Sequence, residues 1–354
     1  MAEIKIYKNN VWKNIIGQEF DGNEFKEGDK IYADGKWYEA EKPDTWYMPL
    51  TFTAKKAGST VKLTIGEGSP IVSGLQYRLG TSGNWNTYVI DTVINLTNID
   101  DKVQFQNTND RLNIAAIPFD FESQTQYVQF VMTGTIAASG NIQSMLNYRD
   151  DCPAECLRYL FYYCDSLLTP PELPAKNLGA SCYGFLFAHC TSLRTPPELP
   201  ATIVPRYGYN HMFWGCTNLT EAPELPATAL DYGCYSYMFS GCTSLKTAPE
   251  KLPATTLARN CYNEMFFDCK ALINAPELPA AELVDDCYRQ MFWCCRHLKS
   301  IKVRFTNWQD GDFAGTINWV PSVASTGTFY KPRALPEEYG DDRIPEGWTV
   351  VNID

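Results

Sequence analysis

The sequence predicts an α+β protein, in which a solenoid of six repeats of about 26 residues follows small β modules and a β-sandwich. Two observations predict the solenoid. A Leu-Pro-Ala segment recurs along the second half of the chain, and a Cys-Tyr-x-x-Met-Phe-x-x-Cys motif recurs between its copies. A third observation predicts the β modules, because alternating hydrophobicity and turn-forming clusters precede residue 120.

The repeat is defined by its cysteines and by a leucine three residues after the second cysteine of each copy. The second cysteines lie 26 residues apart, except for one step of 27 residues across an inserted Lys251. Leu157 replaces the tyrosine of the first copy, and Gly208 replaces the first cysteine of the third. Units of this length are typical of solenoids, which bury apolar faces by stacking. The second cysteines are Cys164, Cys190, Cys216, Cys242, Cys269 and Cys295.

Positions within a repeat are counted from its first cysteine, which is position 0. Each repeat is predicted to contain a short strand near its Leu-x-x-Ala-Pro segment, a turn that ends at proline, and a short helix. At 100° per residue, positions 0, 1, 4, 5 and 8 share one arc of that helix, and positions 2, 3, 6 and 7 share the opposite arc. The first set hardly changes between repeats, so we expect it to face the core.

All thirteen cysteines lie between Cys152 and Cys295, and their spacing follows the repeat. Stacking would align equivalent cysteines into ladders of small buried side chains. Two cysteines eight residues apart on one helix face are about 11 to 12 Å apart, beyond disulfide reach. The sequence therefore favours reduced, buried thiols over disulfides or metal ligands, with Cys294 at position 7 as the exposed exception.

Three segments carry a family resemblance: Phe-Ser-Gly-Cys-Thr-Ser-Leu at 239–245, Leu-Pro-Ala-Thr-Thr-Leu-Ala at 252–258, and Ile-Pro-Glu-Gly-Trp-Thr-Val at 344–350. From about residue 140 onward the chain resembles the BspA-like leucine-rich repeat surface proteins of Bacteroidetes and their phages. The resemblance implies a leucine-rich-repeat-type solenoid that serves adhesion or ligand binding rather than catalysis. The sequence departs from that family in lacking the secretion signal expected of a surface protein.

The rest of the chain is predicted to form β modules and caps. Residues 1–48 contain two similar segments with tight-turn signals, so we expect a module of two β-hairpins, which resembles short modules of phage tail and fibre proteins. Residues 49–120 have the strand spacing of an immunoglobulin-like β-sandwich. Residues 121–150 are predicted to cap the solenoid of residues 151–300, and residues 301–354 to cap its other end.

The sequence contains no phosphate-binding glycine loop, zinc-protease motif or nucleophile elbow, so we predict no catalytic residue, metal ligand or cofactor. Its three histidines, His189, His211 and His297, fall at or beside outward positions and are predicted to be surface residues. One glutamate recurs beside the Leu-Pro segment of five repeats, where a solvated stripe is favoured over a loose cation site. These glutamates are Glu172, Glu198, Glu224, Glu250 and Glu277.

The outward positions of the repeats carry many aromatic rings, which are predicted to align into rows at positions 3 and 6. Exposed Trp and Tyr are enriched at recognition surfaces. Ligand recognition is therefore favoured over packing against another protomer and over incidental exposure. The candidate binding residues are Tyr162, Tyr163, Phe185, His189, His211, Trp214, Tyr237, Phe267 and Trp293.

Three functions are compared. The favoured one is a phage or prophage virion component, a tail fibre or receptor-binding protein, that recognises a host-surface glycan or protein. The alternatives are a bacterial cell-surface adhesin and an enzyme acting on surface polysaccharide. No residues in the sequence support the enzyme. A net charge of −11 argues against nucleic acid and anionic membranes as partners.

The expected location follows from the favoured function. We expect a protein of the virion or the extracellular space, made in the cytoplasm without a signal peptide, or one of the bacterial surface if a signal was removed. Other virion proteins are possible partners of the N-terminal modules, and an oligomer is compatible with the sequence. No run of 18 apolar residues is present, so no membrane span is predicted.

Overall fold

A computed structural model describes residues 4–8, 11–15, 30–33, 36–39, 44–66, 72–110, 112 and 127–353. The chain forms two compact units, Met1–Met48 and Pro49–Asp354. The described residues are β-rich, with 21 strands in seven sheets and two short 3-10 helices. None of the helices among them has the length and apolar character needed to cross a bilayer.

The described residues of the first unit form two antiparallel strand pairs, and both were predicted. Lys8 lies opposite Val11 in one pair, and Ala33 lies opposite Lys36 in the other. Two residues separate the strands of each pair, which is the length of a tight β-hairpin turn. The elements are β1 (Ile4–Lys8), β2 (Val11–Ile15), β3 (Lys30–Ala33), β4 (Lys36–Glu39) and a 3-10 helix (Asp44–Tyr47).

The second unit begins with two sheets. The strands from the start of this unit to the first repeat are β5 (Leu50–Ala54), β6 (Ser59–Ile65), β7 (Leu75–Leu79), β8 (Asn86–Thr87), β9 (Ile94–Leu96), β10 (Lys102–Asn107), β11 (Val128–Thr133), β12 (Ile136–Ser139), β13 (Asp151–Cys152) and β14 (Leu167–Thr169), and all of them except β13 belong to these two sheets. The larger sheet has the order β14-β12-β5-β10-β7-β8, and the smaller one has the order β11-β6-β9. Phe52 of β5 and Phe105 of β10 contact Phe130 of β11, with ring centroids 4.8 and 5.2 Å apart. The two sheets therefore share an aromatic core.

Strands β11 and β12 lie in the segment that was predicted to cap the repeats, and both belong to these sheets. β11 pairs with β6, and β12 pairs with β5, in each case antiparallel. β12 also pairs with β14 of the first repeat in parallel. A 3-10 helix, Ile142–Leu146, follows with all its residues buried. The segment before the repeats thus extends both sheets and joins one of them to the first repeat.

Each repeat folds as a run of turns, so the predicted short helix, and with it the α part of the fold class, is wrong. Residues 152–300 contain no α-helix. At even positions the N–H donates to the carbonyl three residues back, as from Leu186 to Tyr183 at 3.2 Å. At odd positions it donates to the next repeat, as from Phe187 to Met212 at 2.9 Å. Every N–H from Cys182 to Cys190 is bonded in one of these two ways.

The turns repeat every four residues because the residues at positions −1, 3 and 7 have left-handed backbone conformations in all six repeats. In the second repeat these are Ser181, Phe185 and His189, with φ of 54°, 56° and 60°. Four residues per turn is close to the 3.6 of a helix. The prediction that positions 0, 1, 4, 5 and 8 face the core is therefore confirmed, because all of them are buried in every repeat.

Equivalent side chains form columns through the repeats. The position 5 phenylalanines from Phe161 to Phe292 have neighbouring ring centroids 5.3 to 5.9 Å apart. Phe130 of β11 extends the column at one end, 5.5 Å from Phe161, and Trp319 extends it at the other, 6.2 Å from Phe292. One hydrophobic core thus runs from the first two sheets to the C-terminal segment.

Short parallel strands join successive repeats, with residues 26 apart in register, as between Asp151 and Asn177. The strands that follow β14 are β15 (Asn177–Leu178), β16 (Ile203–Val204), β17 (Ala229–Leu230), β18 (Asn274–Leu278), β19 (Ser300–Val303), β20 (Thr328–Pro332) and β21 (Thr349–Ile353). The last four form a parallel sheet in the order β18-β19-β20-β21 at the C-terminal end. The predicted strand of each repeat is thus present in some repeats, and single bridges occur in others.

Candidate functional site

The structure brings seven of the nine predicted binding residues together on the outer side of repeats 1 to 4. Their exposure differs from the prediction. Tyr163 is exposed, whereas Phe185 and His211, at 4% and 7% exposure, are buried. The remaining predicted residues are partly exposed. The expectation that Phe185 and His211 are surface residues is wrong, because rings from adjacent repeats cover them.

Four rings at position 3 form a continuous stack, which we call the inner row: Tyr159, Phe185, His211 and Tyr237. Neighbouring centroids are 4.8, 4.3 and 4.4 Å apart, and neighbouring planes are within 24° of parallel. All four residues have positive φ, so the backbone projects each side chain outward in the same direction. Ring faces in the inner row are therefore occupied by other rings, and only ring edges point away from the stack.

A second stack lies beside the inner row at position 7. Tyr163 and His189 are parallel to within 10°, with centroids 4.4 Å apart. The stack ends there, because the third and fourth repeats have Gly215 and Gly241 at this position. A Cβ atom on Gly215 would lie 2.5 Å from Nδ1 of His189, so the glycine leaves the space that the imidazole fills. The prediction that His189 is a surface residue holds only in part, since it is partly exposed.

Two position 6 rings, Tyr162 and Trp214, lie across the edges of these stacks and are called the covering rings. Trp214 is inclined by 80° to Phe185 and by 81° to His211. Tyr162 is inclined by 87° to Phe185, with centroids 6.3 Å apart. Trp214 also contacts His189 with centroids 4.4 Å apart, and Tyr162 contacts Tyr163 at 4.5 Å, so each covering ring packs against both stacks while remaining partly exposed. The fully buried Ala188 occupies position 6 between them.

The covering rings and the inner row form a hydrophobic cluster separate from the main core. Its members are Tyr159, Phe185 and Ala188, with Tyr127, Tyr162 and Trp214 packed against them. Side chains on the outside of a repeat array are normally charged or polar rather than apolar. A cluster of rings at this place therefore stabilises the outer side of repeats 1 to 3 and leaves Tyr162 and Trp214 partly exposed.

Among the described residues, charged groups contact the inner row near its two ends. The Arg158 guanidinium sits 4.8 Å from the Tyr159 ring centroid and pairs with Glu155 at 2.9 Å. At the other end, the Tyr237 hydroxyl donates to Glu264 at 2.6 Å, and burial raises the pKa of that carboxyl. Repeats 5 and 6 continue position 3 with Glu264 and Gln290, so the aromatic row ends at the fourth repeat.

Both histidines in the cluster are held neutral by their surroundings. Burial, with the positive charge of Arg158 and the neighbouring His189, lowers the pKa of His211 to about 3. Its Nδ1 lies 2.7 Å from Oδ1 of Asn210. Burial also lowers the pKa of His189. Neutral, stacked imidazoles act here as aromatic rings, and the cluster offers a ligand apolar contact and ring edges rather than charge.

Phe267 and Trp293 were predicted to continue the row of Trp214, but the buried Ser240 separates them from it. These two rings contact each other with centroids 5.9 Å apart, and no ring contact within the described repeats links them to Trp214. The third histidine, His297, is exposed as predicted. The structure therefore divides the predicted surface into a cluster of rings on repeats 1 to 4 and an isolated pair on repeats 5 and 6.

The cysteines lie away from this surface, as predicted. All thirteen are free; twelve are buried, and Cys294 is partly exposed. The second cysteine of each repeat also has a role that the sequence did not reveal. The Cys242 thiol lies 3.1 Å from the Phe213 carbonyl, and the same contact recurs in all six repeats at 3.0 to 3.1 Å. Each thiol donates a hydrogen bond to the preceding turn of the column.

Two members of the site were missed from the sequence. Tyr159 begins the inner row. It shares position 3 with Phe185, so the alignment of the repeats could have identified it. Arg158 became visible only in the structure, because its contact with the Phe185 ring, at 5.8 Å, joins two repeats. No group of three or more His, Cys, Asp or Glu side chains among the described residues could hold a metal ion.

Comparison of the chain with protein-family models, curated proteins and solved structures finds no match.

Proposed function

We propose that the repeats form a leucine-rich-repeat-type solenoid and that the protein binds a surface ligand through the outer side of repeats 1 to 4. In this proposal it is an adhesion or attachment protein, and a phage virion component is favoured over a bacterial adhesin. The observation that carries the proposal is the pair of covering rings, Tyr162 and Trp214, which remain partly exposed while they pack against two stacks of rings. Large, rigid aromatic faces give contact area at low entropic cost.

The neighbouring residues support recognition by contact rather than by charge. His189 and His211 are held neutral, and the nearest cation, Arg158, already pairs with Glu155. Flat aromatic faces of this kind suit the apolar faces of sugars or the apolar groups of a protein epitope. The immunoglobulin-like nature of the first two sheets and an attachment role for residues 1–48 belong to the same proposal.

Binding to intact bacterial cells and to a glycan array tests the proposal. We expect the wild-type protein to bind, and the double variant Tyr162→Ala/Trp214→Ala to lose binding by more than tenfold, because both partly exposed covering rings are removed. Trp293→Ala is the matched control, since Trp293 has the same repeat position outside the cluster. Binding that survives the double variant, with an unchanged melting curve, would contradict the proposed surface.

A further inference from the structure

The loops of the second and third repeats enclose a groove of about 370 Å³ on a part of the repeats that the ring cluster does not use. Prolines and one leucine supply its apolar lining, and three exposed glutamates border it. We call it the proline groove. Its residues include Pro196, Pro197, Glu198, Leu199, Glu221, Pro223 and Glu224.

The groove exists because the backbone ladder between repeats is interrupted. Proline has no N–H to donate. No backbone hydrogen bond joins residues 196–200 to residues 222–226, both of which are described throughout. Two repeats later, backbone hydrogen bonds join the equivalent loops. The Glu277 N–H donates to the Glu250 carbonyl at 2.9 Å, and the Leu252 N–H donates to the Glu277 carbonyl at 3.0 Å. Within the part of the chain that the structure describes, the N–H groups of Glu198 and Glu224 donate no backbone hydrogen bond.

Glu277 has the same repeat position as Glu198 and Glu224, and its contacts show which side chains a glutamate at this position can bind. Glu277 accepts from Lys302 Nζ of β19 and from Nε of Arg304, which follows that strand, both at 2.9 Å. These two cations lower the pKa of Glu277 against the opposing effect of its burial. The partners of this glutamate thus belong to a Lys-x-Arg segment of the next turn of the chain. At the groove, the next turn after Glu198 carries Glu224 in place of a cation, and neither glutamate forms an ion pair among the described residues.

We propose that the proline groove binds an extended basic segment of a partner protein, with a Lys-x-Arg pattern like that of residues 302–304. The carboxylates of Glu198 and Glu224 would take the cations, prolines and Leu199 would take the apolar side chains between them, and the open backbone groups would pair with the segment. The net charge of −11 assists the approach of such a partner. This site is independent of the ring cluster.

A fluorescein-labelled peptide with the sequence of residues 299–306, Lys-Ser-Ile-Lys-Val-Arg-Phe-Thr, is the probe. Fluorescence anisotropy with the full-length protein should show saturable binding that weakens as salt is raised from 50 to 300 mM, because the contacts are ionic. The double variant Glu198→Gln/Glu224→Gln should weaken binding at least tenfold. The matched control Glu282→Gln/Glu337→Gln, which removes the same charge elsewhere, should change it less than twofold.

Three results would overturn the proposal. One is an absence of saturable peptide binding to the wild-type protein. Another is equal affinity of the two double variants, which would reduce the effect to net charge. A third is unchanged affinity for a peptide whose Lys and Arg are replaced by Gln, which would leave a groove that binds backbone alone. Melting curves of both variants establish that the glutamate substitutions leave the fold intact.

Discussion

The backbone carbonyls at position 5 of the repeats can accept two hydrogen bonds, one from their own repeat and one from the adjacent repeat. The Phe213 carbonyl illustrates this arrangement, because it accepts from the Cys216 N–H at 3.0 Å and from the Cys242 thiol at 3.1 Å. Burial raises the pKa of the Cys242 thiol well above its usual value, so it stays protonated and able to donate. The sequence identified these cysteines as small buried side chains but not as donors, since their acceptors belong to another repeat.

Substitution by serine should lower the free energy of unfolding by different amounts at the first and the second cysteine of a repeat. Cys242→Ser keeps a donor near the Phe213 carbonyl, and we expect a loss of about 1 kcal/mol in the free energy of unfolding. Cys234, at position 0, is 4.0 Å from its nearest carbonyl acceptor, that of Cys261. Cys234→Ser should therefore cost about 2 to 3 kcal/mol, because its hydroxyl is buried without a close partner. Urea unfolding measures both, and equal losses would contradict the donor role.

The inner row should make the protein sensitive to acid. The pKa of His211 is about 3 in the folded protein, compared with 6.5 for the unfolded side chain, so protons bind preferentially to the unfolded chain between these values. The stabilising effect of the neutral imidazole is complete above pH 6.5 and is lost as the pH falls towards 3. Between pH 7 and pH 4 this loss amounts to about 3 kcal/mol.

His211→Phe keeps a ring in the stack and removes the titrating group. Urea unfolding at pH 7 and pH 4 should show a smaller loss of stability on acidification for this variant than for the wild-type protein. His297→Phe, at an exposed histidine, serves as the control and should behave as the wild type does. An acid dependence that His211→Phe leaves unchanged would show that His211 is not the sensitive group.

The turn-based repeat shows why sequence periodicity identified the buried residues and misidentified the element. A four-residue turn and a 3.6-residue helix place the same positions inward, so the hydrophobic pattern fits both. What distinguishes them is the hydrogen bonding, in which every second N–H leaves the repeat for the next one. This bonding is invisible in a single repeat. The glycines at position 7, Gly215 and Gly241, were the available local signal, since glycine tolerates positive φ.

Substitutions at position 7 distinguish the turn-based repeat from an α-helix, because the two structures predict opposite signs for the change in the free energy of unfolding. Gly241 has φ of 74°, and an added Cβ would come no closer than 3.6 Å to any other atom, so Gly241→Ala should cost about 1 kcal/mol through backbone strain alone. Asp268, at the same position with φ of 58°, should tolerate Asp268→Gly without loss. In a helix, Gly241→Ala would stabilise and Asp268→Gly would destabilise. Thermal and urea unfolding give the sign.

At the scale of the whole molecule, one column of rings from Phe130 to Trp319 joins the first two sheets, the repeats and the C-terminal segment. The repeat length and the stacking of equivalent residues could be predicted from the sequence, because the repeat unit recurs with one inserted residue. The outer surface could be predicted only in part. Phe185 and His211 are buried by rings from neighbouring repeats, and the separation of Trp293 from Trp214 depends on the single small side chain of Ser240.

The proposed function depends on that separation, since two tryptophans at the same repeat position are given different roles. Trp214 covers the stacked rings, whereas Trp293 contacts only Phe267 among the aromatic rings that the structure describes. The dissociation constant for the ligand found by cell or array binding, measured for Trp214→Ala and Trp293→Ala, is the most direct test. We expect a rise of at least tenfold for Trp214→Ala and less than twofold for Trp293→Ala. Equal dissociation constants for the two variants, with melting curves like that of the wild type, would contradict the account.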